Sequence, residues 1–106
     1  MEFSISSKLL DTCVLGVLNN SDTYGYDLIQ KMSVNINVSE TALYPVLRRL
    51  SKDNLLRTYD KEYNGRNRKY YTITKEGRLK FKYYQEVWQE YKNSIDNIIE
   101  GGNINE

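Results

Sequence analysis

The chain has 106 residues, 15 Lys and Arg against 14 Asp and Glu, a net charge of +1, one cysteine and no histidine. Without histidine, Ser/His/Asp and Cys/His catalysis and most zinc sites are excluded, and a lone cysteine forms no internal disulfide. The length suits one domain, no apolar run is long enough to cross a bilayer, and residues 1 to 7 lack the pattern of a signal peptide, so a cytoplasmic protein is expected.

Leu9, Leu10, Cys13, Val14, Val17 and Leu18 recur at helical spacing, and "NNSD" then breaks the pattern. Cys13 reads there as a small core residue. Asp22 or Thr23 is expected to cap a short second helix, "YGYDLIQKM", with Leu28, Ile29 and Met32 on its apolar face. Ser39 is placed to cap a third, running to about Asp53 and burying Leu43, Val46, Leu47 and Leu50. This third helix holds the chain's only proline, Pro45. A proline inside a helix loses a hydrogen bond and crowds the preceding turn, so its place in the second turn asks for a reason.

The period then changes. "LLRTYDKEY" and "RKYYTIT" are rich in Tyr, Thr, Leu and Ile, and Asn64-Gly65 between them is a strong hairpin signal because both residues tolerate positive φ. Thr74 is placed to cap a fourth helix from Lys75 to about Glu100, about 39 Å long at 1.5 Å per residue. Gly101-Gly102 ends it, and residues 101–106 are expected to fray. The expected fold is mainly α with a small antiparallel β-hairpin. It is a winged helix-turn-helix over residues 1–74 plus a long C-terminal dimerisation helix over 75–100, in one compact unit.

Charge is segregated along this plan: net −3 over residues 1–43, +7 over 44–80 and −3 over 81–106. A basic middle between acidic flanks suits a polyanion, although a solvated charged face is the simpler alternative. If Leu43, Val46, Leu47 and Leu50 face the core, Thr41, Tyr44, Pro45, Arg48 and Lys52 point away from it. Thr41 and Tyr44 offer hydroxyls, Arg48 offers a two-pronged contact to guanine, and Arg49 and Lys52 suit phosphates. Ser39 caps the helix and lies where anions are attracted. Pro45 either opens the leading turn for close approach to DNA or wedges the helix, with Tyr44, against the wing. Arg66, Arg68 and Lys69 cluster beside the hairpin turn, as phosphate contacts or as cations that discourage edge-to-edge aggregation. In the fourth helix, Phe81, Tyr84, Trp88, Tyr91, Ile95 and Ile98 form a stripe that wants a partner helix, part of it on the first helix and the rest across a homodimer interface.

Four segments together resemble the PadR-like transcriptional regulators: "YGYDLIQKM", "ETALYPVLRRLSKDNLL", "GRNRKYYTITKEG" and the single Trp88 of the last helix. The match spans about Leu9 to Ile99. The resemblance implies dimeric winged helix-turn-helix repressors of double-stranded DNA, in the compact branch that lacks a longer C-terminal domain. It also implies, for some members, a planar aromatic ligand at the dimer interface, where Tyr84, Trp88 and Tyr91 are the candidates here. No enzyme activity, cofactor, metal or membrane partner is expected. A winged-helix module that binds an acidic protein, with no operator, is the rival reading.

Overall fold

The computed structural model describes residues 2–101. Four helices and a three-stranded antiparallel sheet follow in the order α1 (Ser7–Asn20), β1 (Thr23–Tyr24), α2 (Gly25–Ser33), α3 (Glu40–Lys52), β2 (Leu56–Tyr63), β3 (Arg66–Ile73) and α4 (Lys75–Ile99). The sheet order is β1-β3-β2. This is the expected winged helix-turn-helix, with one strand more than the hairpin foreseen. Thr23 and Tyr24 pair with Tyr71 and Tyr70, which makes β3 the central strand.

That extra strand corrects the expected start of α2. Neither Asp22 nor Thr23 caps it. Tyr24 occupies the N-cap position without a side-chain hydrogen bond, while the Thr23 hydroxyl donates to the Asp27 carboxylate in the first turn. The other caps are as expected. Ser39 Oγ accepts from the Ala42 N–H at 3.2 Å, and Thr74 Oγ1 accepts from the Gly77 N–H at 2.9 Å.

The core gathers Leu10, Val14, Leu15 and Leu18 of α1 against the apolar faces of α2 and α3, and Leu56, Tyr71 and Ile73 close it from the sheet. On α1 the buried stripe runs through Leu10, Asp11, Val14, Leu15 and Leu18, leaving Cys13 and Val17 half-buried. Burial pushes the Cys13 thiol pKa up, the direction that disfavours the thiolate.

The end of α3 and the start of α4 are locked together. Asn54, at φ 64°, takes the left-handed position after α3, and the Leu55 and Asn54 N–H groups donate to the carbonyls of Leu50 and Ser51. These bonds satisfy carbonyls that the helix end would otherwise orphan. The Leu55 carbonyl then accepts from the Thr74 N–H at 3.1 Å, and Thr74 Oγ1 donates to the Asn54 carbonyl at 2.8 Å. Gly77 completes the joint, since a Cβ there would lie 2.2 Å from the Leu55 carbonyl oxygen.

From this joint α4 runs back along α1. Phe81 and Tyr84 pack on the core, and a Cβ at Gly16 would already stand 3.2 Å from the Phe81 ring. These two residues, expected in a dimer interface, are therefore taken up largely within their own chain. Val87, Trp88, Tyr91, Ile98 and Ile99 are exposed, and the described chain extends 60 × 29 × 20 Å. Among the described residues no helix is long and apolar enough to cross a membrane. Gly101, at φ 69°, follows the end of α4, and the rest of the tail expected to fray lies outside the described residues.

Candidate nucleic-acid interface

α3 begins at a capped N-terminus and presents Thr41, Pro45, Arg48 and Lys52 to solvent on the side away from Leu43, Val46, Leu47 and Leu50. The helix runs unbroken through Pro45. The bond lost at Pro45 would have gone to the carbonyl of Thr41, in the exposed first turn where water can replace it. Tyr44 is half-buried and leans toward α2. A Cβ at Gly25 would lie 2.5 Å from its hydroxyl oxygen, so the glycine at the head of α2 makes room for this tyrosine. Burial pushes the Tyr71 hydroxyl pKa up; Tyr44 adds to the rise and Arg48 opposes it. Tyr44 thus packs against the head of α2, whereas Pro45 is exposed on the outer face.

Arg49 departs from expectation. Its guanidinium grips Asp11 of α1 with two hydrogen bonds, of 2.9 and 2.7 Å. The Asp11 side chain is only 3% exposed, against 42% for Arg49. The carboxylate raises the Arg49 pKa further, chiefly through these bonds. The fork expected to meet phosphate is thus committed to the joint between α1 and α3. No local pattern reveals this, although an acid on the apolar side of α1 is the one available hint.

The wing is a two-residue hairpin. Asn64 and Gly65 have φ of 53° and 77°, and Tyr63 pairs with Arg66 directly across the turn. This register splits the three expected wing cations. Arg66 and Arg68 lie on the face of the sheet turned from the core, while Lys69 shares the Tyr71 face, opposite Asp60. Arg68 is half-buried, with its guanidinium 4.5 Å from the centre of the Tyr24 ring and 5.8 Å from that of Tyr63. Tyr24, Gly25, Tyr44, Arg68, Lys69 and Tyr71 line a cleft of about 220 Å³ where the wing meets α2 and α3. Ser39, Thr41, Arg48, Lys52 and Arg66 are exposed beside these elements.

Between α1 and α4, Lys8, Leu9 and Thr12 with Tyr84, Val87, Trp88 and Tyr91 line a cleft of about 310 Å³. Trp88 and Tyr91 stand 6.4 Å apart in it, with rings tilted by 44°.

A three-helix core with an exposed, capped second motif helix and a basic hairpin beside it defines a winged helix-turn-helix of the DNA-binding kind. Residues 14–83 match the transcriptional regulator PadR-like family, and the chain belongs to it. It is therefore a DNA-binding transcriptional regulator. It is similar to a protein from Streptococcus mutans of known crystal structure, 37% identical, covering 96% of each chain with a TM-score of 0.90. A PadR-like transcriptional regulator from Bacillus cereus is 29% identical over 87% of this chain and 92% of its own, at a TM-score of 0.80. An uncharacterized protein from Lysinibacillus sphaericus is 34% identical over 87% of this chain and 89% of its own.

Proposed function

We propose that the protein is a homodimeric repressor that reads its operator with α3, using Thr41, Arg48 and the close approach allowed at Pro45. Ser39, Lys52, Arg66, Arg68 and Lys69 take the flanking phosphates. The observation that carries this reading is the outer face of α3, where Arg48 and Lys52 are exposed and, among the described residues, joined to no carboxylate. Unpaired cations along an exposed helix face suit a polyanion. Trp88, Tyr91, Ile95 and Ile98 are assigned to the partner, because most of this stripe is exposed in one chain. The cleft at Trp88 has the volume and the aromatic lining for a planar guest. Such a guest controls DNA binding only if it favours one arrangement of the dimer over another, and its entry should quench Trp88 emission.

The test is a gel shift on the DNA upstream of the protein's own gene, at two salt concentrations, against random DNA. Arg48→Ala should cost about 1–3 kcal/mol on the operator and relax preference at one base pair, with little change on random DNA. Equal losses on both would make Arg48 a phosphate contact. A protein with no preferred sequence would instead fit the acidic-partner reading.

A further inference from the structure

The face of the wing sheet turned from the core carries more than its tip. Strand register places Arg57, Tyr59, Lys61 and Tyr63 of β2 on that face with Arg66, Arg68 and Tyr70 of β3, and Tyr24 of β1 lies opposite Tyr70. The four tyrosines form one cluster. Ring centres are 5.6 Å apart for Tyr59 and Tyr70, 5.4 Å for Tyr24 and Tyr70, and 6.0 Å for Tyr24 and Tyr63. Cations lie over it, with Lys61 Nζ 5.3 Å from the Tyr70 ring centre and Arg68 above Tyr24 and Tyr63. The hairpin's own acids, Asp60 and Glu62, fall on the other face, and Asp22 at the margin is engaged by the Tyr59 hydroxyl at 2.8 Å.

We propose that this face is a phosphate-binding surface that extends the DNA contact beyond the hairpin tip. Arg57 and Lys61 are its additional phosphate ligands, and Tyr24, Tyr63 and Tyr70 are positioning residues that hold Arg68 and Lys61 flat. The assignment rests on the DNA-binding reading above and adds residues that neither the recognition helix nor the turn contains.

Three observations carry it. Among the described residues none of Arg57, Lys61, Arg66 and Arg68 is joined to a carboxylate, so one face holds four cations without compensation. Arg68 Nε is buried without a hydrogen-bond partner, so the aromatic stack, and not a hydrogen bond at that atom, orients the guanidinium. A cation held on a ring loses little rotamer freedom when it meets an anion, which favours binding by pre-organisation. Finally, Lys61 and Arg68 already occupy ring faces that a base would need. That favours a duplex backbone over a single strand stacked on tyrosine. From Arg57 to the turn the row of charge runs about 20 Å, at about 3.4 Å per residue.

The experiment is a salt titration of binding to a fluorescein-labelled random-sequence duplex, with the full chain and its variants. Arg57→Ala combined with Lys61→Ala should lower the slope of log affinity against log salt by about two, about one per lost contact. Tyr63→Phe, which keeps the ring under Arg68, should bind as wild type. Tyr63→Leu should bind more weakly with an unchanged melting temperature. An unchanged slope in the double variant overturns the surface, even where Arg48→Ala still loses operator preference as the main reading requires. Binding to polyglutamate as tight as to the duplex would make this a docking face for an acidic protein and equally overturn it. A wild-type chain that binds no duplex at low salt defeats both this inference and the reading beneath it.

Discussion

Arg49 and Arg48 are neighbours in sequence with opposite assignments, because one side chain meets α1 and the other meets solvent. Asp11 sits among leucines and valines, and its burial is tolerated because two N–H groups of Arg49 answer its two oxygens. The pair is asymmetric in exposure, so its two halves differ in consequence. Arg49→Ala strands a carboxylate that is 3% exposed and should cost about 3–5 kcal/mol in urea denaturation. Asp11→Ala leaves a guanidinium that is 42% exposed and able to rehydrate, so it should cost clearly less. Equal costs would show that Arg49 does not carry the joint. Any DNA-binding defect of an Arg49 variant must therefore be separated from lost stability, which is not a concern at Arg48.

Among the elements, the junction from α3 through Leu55 to α4 governs how the wing and the long helix sit on the reading head. Asn54 turns the chain out of α3, Thr74 bonds back to the Asn54 carbonyl, and Gly77 lets α4 approach the Leu55 backbone. A Cβ at position 77 would also stand 2.7 Å from Ile73 Cγ1, at the end of β3. Gly77→Ala should therefore cost about 1–3 kcal/mol by overpacking, despite alanine's better helix propensity. A melting temperature equal to or above wild type would mean that the backbone at Leu55 yields freely. Pro45 shows the opposite tolerance. It sits where the helix faces water, so a residue that should break α3 leaves it continuous over Glu40–Lys52.

For the whole molecule, the imbalance lies along α4. Its first half packs on α1, while Val87, Trp88, Tyr91, Ile98 and Ile99 remain in water. Apolar residues left exposed along one long helix favour a second copy as their cover. Ile95→Asp together with Ile98→Asp should yield monomers by analytical ultracentrifugation. The same change should abolish tight operator binding, which needs two reading heads about 34–36 Å apart or a multiple of that. A wild-type protein that sediments as a monomer at micromolar concentration would refute the dimer. An intact dimer in the double variant would move the interface elsewhere on the chain.

Local signals were enough for much of this protein. The helical stripes, the Ser39 and Thr74 caps and the Asn64-Gly65 turn could be read from neighbouring residues, because capping and turn chemistry act over three or four positions. The two-residue turn even implied the pairing of Tyr63 with Arg66, and hence that Arg68 and Lys69 point to opposite faces, a step the cluster of cations concealed. Only the tertiary structure could decide the rest. β1 is two residues long and has no period to detect; Arg49 finds Asp11 38 positions away; Gly25 and Gly77 are explained by Tyr44 and Leu55, which approach them from other elements. The order of residues along the chain fixes periodicity and caps, but which charge is neutralised and which stays free for DNA depends on the packing of α1 against α3 and of the wing against α2.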